Sequence, residues 1–110
     1  MAEPGTLDRL VALIATRRIA DADTSYTRQL LDSGPERCAK KFGEEAVEVV
    51  IAAIQAEPKA LRAEAADVLY HLLVLLESRN IDFADVLLEL DARMGTSGLA
   101  EKAARSKGAP

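Results

Sequence analysis

Apolar residues recur along this chain at intervals of three and four, the spacing of one helical face, in five successive runs. The first begins near Thr6 and sets Leu7, Leu10, Val11, Leu13 and Ile14 on one stripe, which fades at Arg17 and Arg18. Residues 20–23 read as a polar connection. Thr24 or Ser25 suits the N-cap of a short second helix carrying Tyr26, Leu30 and Leu31, because a hydroxyl can accept from a free N–H of the first turn. Asp32, Ser33 and Gly34 end that helix. Pro35, whose missing N–H is no loss in a first turn, opens the third. The third is expected to run to about Glu57, where Pro58 interrupts. A fourth covers 59–78 and stops near Asn80. Asp82, with Asp85 three residues on, resembles a capping box opening a fifth whose apolar positions include Phe83, Val86, Leu87 and Leu90. No internal repeat and no sustained alternation of a strand is present. The pattern predicts an all-α domain over 1–94, a bundle of about five helices with two long central ones. Residues 95–110, rich in Gly, Ser, Lys and Ala, form either a weak helix (99–105) or a flexible tail.

The two central helices carry an unusual pattern. Stepping about 100° per residue from Phe42, Ala46, Val49, Val50 and Ala53 cluster with it, while Val47, Ile51 and Ile54 form a second band nearly opposite. Glu44, Glu45 and Glu48 fill the gap, with Lys41 and Ala52 beside them. A surface helix has one apolar stripe and one broad polar face; here two apolar bands flank an acidic seam. The next helix repeats the design. Glu64, Asp67 and His71 share a narrow sector, and Leu61, Val68, Leu69, Leu72, Leu73, Leu75 and Leu76 occupy most of the rest. A helix so apolar is a central element, and one chain of this size cannot cover both flanks. Association into a homodimer or higher homo-oligomer is expected.

The acids change the picture most. Residues three or four apart lie on one helix face, so Glu44, Glu45 and Glu48 on one helix and Glu64 and Asp67 on the next can aim at one point. Uncompensated, such a cluster costs more than a small domain can tolerate. A cation offsets it, and carboxylate oxygens without cysteine suit a hard ion such as Mg²⁺. That points to chemistry on a phosphate-bearing small molecule. The competing reading, a solvated acidic face, is weakened by the apolar remainder of both helices and by the matching second pair. A di-iron bundle would use Glu-x-x-His motifs on two helices; here the second pair is Glu64-x-x-Asp67 and the sole histidine, His71, is misplaced for that spacing. His71 is read as a hydrogen-bonded core residue satisfied by Asp67 rather than as a ligand, and Tyr70 as a packing residue.

Composition narrows the class. The 110 residues are 49% hydrophobic, 29% charged and 4% aromatic with no Trp, a mix that favours helix. The net charge of −4 argues against nucleic acid as a partner. Cys38 is the single cysteine, which leaves no internal disulfide or cysteine-based zinc site and fits a reducing cytoplasm. No signal-peptide pattern opens the chain, and the apolar run 68–76 is too short to span a bilayer, so a cytoplasmic protein without a membrane segment is expected.

The series Glu44-Glu45-x-x-Glu48, fifteen residues, then Glu64-x-x-Asp67 is similar to the signature of the all-α nucleoside triphosphate pyrophosphohydrolases, the MazG-like superfamily. Read outward, Ser25-Tyr26-Thr27, Leu30-Leu31, Gly34-Pro35, the run from Lys40 to Glu48 and the run from Glu64 to Leu73 resemble the phosphoribosyl-ATP pyrophosphohydrolase family, as does Gly95-Thr96-Ser97-Gly98 followed by Glu101-Lys102-Ala103. The resemblance covers nearly the whole chain. It implies Mg²⁺-dependent hydrolysis of phosphoribosyl-ATP to phosphoribosyl-AMP and pyrophosphate, the second step of histidine biosynthesis. Some members are fused to a cyclohydrolase that carries cysteine ligands; with Cys38 alone, only the pyrophosphohydrolase is expected here.

On that reading Glu45, Glu48, Glu64 and Asp67 are assigned as metal ligands, each pair at i, i+3 on a seam face. Glu44 and Glu48 are the candidate catalytic residues, with Glu44 either the base for water or a ligand of a second ion. Lys41, with Lys40 and Arg37 one turn earlier, is a candidate for holding phosphates. Ser25 and Tyr26 are placed beside the nucleotide by resemblance alone. Lys102 and Arg105 are weighed as a closure over the triphosphate, against a plain tail. Without a metal the clustered carboxyls should have raised pKa values. Two other readings stay open: a house-cleaning pyrophosphatase with a different base pocket, and an acidic helical dimer that binds partners without a metal.

Overall fold

The computed structural model describes residues 5–94 and residue 105. In chain order these form α1 (Thr6–Thr16), a 3-10 turn (Arg17–Ile19), α2 (Tyr26–Ser33), α3 (Pro35–Ile54), α4 (Pro58–Ser78) and α5 (Phe83–Met94), with no strand among the described residues. The all-α expectation is met. Residues 95–104, which carry most of the expected tail, and Lys102 with them, lie outside the described residues.

The starts of the helices follow their local chemistry. Ser25 is the N-cap of α2, its Oγ accepting from the Arg28 N–H at 3.1 Å. Gly34, at φ 91°, makes the turn between α2 and α3, a left-handed conformation that favours glycine. Pro35 is the first residue of α3 and Pro58 of α4. Asp82 caps α5 by accepting from the Ala84 N–H at 3.0 Å.

Helix α3 stops at Ile54, three residues short of the expected end. The cause is a Schellman closure: the Ala56 N–H reaches the Ala53 carbonyl and the Glu57 N–H the Ala52 carbonyl, with Ala56 at φ 54°. An alanine gives no sequence cue for this, since glycine is the usual occupant. Its Cβ costs about 1 kcal/mol in the left-handed region, partly offset by the greater unfolded-state freedom of glycine. Ala56→Gly should therefore stabilise the protein by about 0.5 kcal/mol; urea unfolding of both chains checks the sign. Helix α4 closes the same way at Asn80, φ 58°, with Ile81 N–H on the Leu76 carbonyl.

Helices α3 and α4 pair along their length as an antiparallel hairpin, and α1 and α2 lie against α4 and α3. Ile14, Leu30, Cys38, Leu73 and Val74 form the buried core where these meet. The Cys38 thiol donates to the Leu30 carbonyl at 3.2 Å, and burial pushes its pKa up. Arg18 ties the 3-10 turn to the end of α4. Its guanidinium reaches the Glu77 carboxylate at 2.5 Å and Asn80 Oδ1 at 3.1 Å, and also donates to the Glu77 carbonyl in the last turn of α4.

The double apolar pattern of α3 is only half used within the chain. Cys38 and Ala52 are buried, whereas Val47, Val50, Ile51 and Ile54 are 56%, 55%, 42% and 78% exposed. Helix α5 touches the core through Phe83 and leaves Leu87, Leu88, Leu90 and Met94 exposed. Among the described residues no helix is long and apolar enough to cross a membrane.

Candidate metal centre

The hairpin brings the acids together by symmetry about its turn. Glu48 and Glu64 each lie eight residues from Ala56, and Glu45 and Asp67 each lie eleven. At 1.5 Å per residue, antiparallel partners equidistant from a tight turn sit at the same height. Glu45 thus faces Asp67, Glu48 faces Glu64, and the i, i+3 spacing keeps each helix's pair on one side.

One carboxylate oxygen from each of Glu45, Glu64 and Asp67 lies within 4.8 Å of the other two. Glu45 and Glu64 are half-buried and Asp67 is exposed. The acids therefore line an open-sided cleft. Glu48, also exposed, is outside this close trio but near enough for its charge to act on Glu64. Glu44 points along the edge and pairs with Lys41 Nζ at 3.4 Å. Arg37 and Lys40 are exposed on the preceding turns of α3.

The trio fits a hard divalent cation. Octahedral Mg²⁺ with oxygen ligands at 2.0–2.1 Å sets neighbouring oxygens about 3 Å apart and opposite ones about 4 Å apart. Small rotations of the two long glutamate side chains close 4.8 Å to that range. All-carboxylate donors also match the preference of such ions.

The Glu64 carboxyl is raised above its ordinary value, first by loss of solvent around it and then by the charges of Asp67, Glu45 and Glu48. A carboxyl whose folded-state pKa exceeds its unfolded value binds its proton more tightly when folded. Its contribution to stability is present below the ordinary value of 4.5 and falls as pH rises through the raised one. In EDTA, wild type should lose thermal stability relative to Glu64→Gln as pH is raised from 4 to 7; melting curves of both proteins across that range provide the check.

A polar network adjoins the acids. The His71 Nδ1–H donates to the Asp67 carbonyl at 2.9 Å, and the Tyr26 hydroxyl lies 3.4 Å from His71 Nε2. Tyr70 stands edge-on to His71 with ring centroids 5.0 Å apart, and its hydroxyl is 2.5 Å from Thr27 Oγ1. His71 is 7% exposed, so it is the hydrogen-bonded core residue expected, though its partner in Asp67 is the backbone carbonyl and not the carboxylate. Ser25 is also buried, its hydroxyl engaged as the cap of α2. The hydrogen-bonded use of Tyr26 has no cue in the sequence, because it depends on how α2 docks on α4.

A cavity of about 300 Å³ lies elsewhere, between α1, the end of α4 and the start of α5. It is lined chiefly by Val11, Ile14, Leu73, Leu76, Ile81 and Phe83, and of its polar neighbours Glu77 and Asn80 are held by Arg18. Convergent charge suited to a phosphate-bound ion is found at the acidic cleft, not here.

Comparison with known proteins agrees with the cleft. Residues 7–94 match the family described as phosphoribosyl-ATP pyrophosphohydrolase. The chain is 57% identical over 102 residues to a protein of Roseobacter denitrificans named phosphoribosyl-ATP pyrophosphatase, covering 93% of this chain and 97% of that one. A protein of the same name from Rhizorhabdus wittichii is 58% identical over 104 residues, covering 94% and 98%. One from Cereibacter sphaeroides is 56% identical over 99 residues, covering 90% and 96%. With the family model matching residues 7–94 and the paired acids of α3 and α4 in place, the chain belongs to the phosphoribosyl-ATP pyrophosphohydrolase family.

Proposed function

We propose that this protein hydrolyses phosphoribosyl-ATP to phosphoribosyl-AMP and pyrophosphate, the second step of histidine biosynthesis, with Mg²⁺ as cofactor and in the cytoplasm. The observation that carries the reading is the convergence of Glu45, Glu64 and Asp67 oxygens within 4.8 Å in a chain of this family. Glu45, Glu64 and Asp67 hold the ion, and Glu48 completes the set by a rotation of its exposed side chain. Bound there, Mg²⁺ supplies neutralisation of phosphate charge and a fixed orientation for water. Glu44, at the rim, accepts the proton of the attacking water or holds a second ion, and Glu48 is the other carboxylate within reach of that task. Lys41 is held beside the cleft by Glu44 and can turn to a phosphate oxygen. Arg37 and Lys40 extend the same positive edge toward the distal phosphates. Ser25, by its place at the head of α2, and Tyr26 border the nucleotide.

The protein works as a homodimer in this reading, supported by the apolar side chains that α3 leaves exposed beside the acids. Pyrophosphate release with Mg²⁺ should be far faster from phosphoribosyl-ATP than from any deoxynucleoside triphosphate. A reversed preference would shift the assignment to a house-cleaning pyrophosphatase, and no release from either would leave an acidic binding module.

A further inference from the structure

We propose that Tyr26 is the platform on which the adenine of the substrate stacks, and that His71 is a positioning residue that holds it there. The proposal rests on the reading of the protein as a phosphoribosyl-ATP hydrolase and adds the base-binding end of the cleft to it. The chain has four phenylalanine and tyrosine residues and no tryptophan. Phe42, Tyr70 and Phe83 are half-buried, and only Tyr26, at 49%, presents an exposed ring. A purine entering with its phosphates at the acids has this one open aromatic face to meet within the protomer.

Tyr26 is joined to the acid site through two hydrogen bonds. The His71 Nδ1–H is committed to the Asp67 carbonyl at 2.9 Å, which fixes the tautomer and leaves Nε2 as an acceptor. The Tyr26 hydroxyl, 3.4 Å away, is the donor facing it. His71 and Tyr70 both lie one helical turn beyond Asp67, at i+4 and i+3, so the phenol is anchored one turn from a proposed metal ligand. The Tyr26 ring lies nearly parallel to that of Tyr70, with an interplanar angle of 21° and centroids 6.5 Å apart, which backs it on the protein side and leaves its other surface to solvent. Tyr70 is in turn fixed by Thr27, the residue after Tyr26.

Steady-state kinetics with phosphoribosyl-ATP at saturating Mg²⁺ test this. Loss of one base–aromatic stack weakens binding by about tenfold, so Tyr26→Leu should raise KM about tenfold with kcat within about twofold of wild type. Tyr26→Phe keeps the ring and loses the anchor. His71→Asn keeps a donor for the Asp67 carbonyl and loses the acceptor for Tyr26. Each should raise KM about threefold, and the double variant should be no worse than either, because both break one link. His71→Gln, which returns an amide oxygen near the position of Nε2, should bring KM back toward wild type. Unchanged KM in Tyr26→Leu would overturn the platform, and additive effects of Tyr26→Phe and His71→Asn, or a lowered melting temperature with KM unchanged, would overturn the positioning role. Wild-type protein that fails to turn over phosphoribosyl-ATP would overturn the functional reading as well, whereas active wild type with unaffected variants would overturn this proposal alone.

Discussion

Asp67→Asn or Glu64→Gln should lower turnover of phosphoribosyl-ATP about a thousandfold at saturating Mg²⁺, with the far-ultraviolet circular dichroism spectrum unchanged. Both substitutions keep the size of the side chain and remove one negative charge from the trio formed with Glu45. A metal that neutralises phosphate charge contributes several kcal/mol to the transition state, and each 1.4 kcal/mol is about tenfold in rate. The helix should not suffer, since these side chains line an open cleft and contribute nothing to the core of Ile14, Leu30, Cys38, Leu73 and Val74. In EDTA the Glu64→Gln protein should melt no lower than wild type above pH 5, because the Glu64 carboxyl is held among like charges. A thermal midpoint that rises with Mg²⁺ in wild type and stays flat in both variants separates loss of the ion from loss of the fold. Variants that retain full turnover would remove these carboxylates from the site.

Ile51→Asp should convert a dimer into monomers, moving the association constant by at least about a hundredfold, as read by analytical ultracentrifugation. Val47, Val50, Ile51 and Ile54 follow one another at intervals of three, one and three along α3, the spacing of a single helical face. All four are exposed within the chain, although α3 is also the helix that carries three of the acids. Covering such side chains contributes roughly 1 kcal/mol or more each, and a charge at the centre of the covered face forfeits that and adds its own desolvation. Ile51 is exposed whereas Cys38 and Ala52 are buried, so the monomer's own core is untouched. Ile51→Asp protein that sediments with wild type would place the interface, if there is one, elsewhere.

Most of the fold was legible because its boundaries depend on local chemistry. Ser25, Gly34, Pro35 and Asp82 each act through their own backbone geometry or one hydrogen bond, and each marks the boundary that the spacing of residues suggests. The end of α3 was not, because Ala56 closes the helix in a conformation that its side chain does not favour. The convergence of Glu45, Glu64 and Asp67 could be anticipated from i, i+3 spacing on two consecutive helices. The open flank of α3 could be anticipated too: two apolar bands are more than one chain of this size can cover, and in the single chain Val47, Val50, Ile51 and Ile54 stand exposed. The Tyr26–His71–Asp67 connection spans 45 residues of sequence, 26 to 71, and rests on how one short helix docks, which no local pattern encodes.

The equal spacing of the acids about Ala56 has a consequence for how this chain can change. Surface loops generally accept insertions at small cost, and the connection between Ile19 and Ser25 is of that kind. The link between Gln55 and Glu57 is not. One extra residue wound into α4 would advance Glu64 and Asp67 by 1.5 Å and swing them about 100° around the helix axis, leaving a protein that still folds and no longer has four acids facing one another. On the function proposed above, the length of that short link is constrained by the site more tightly than by stability.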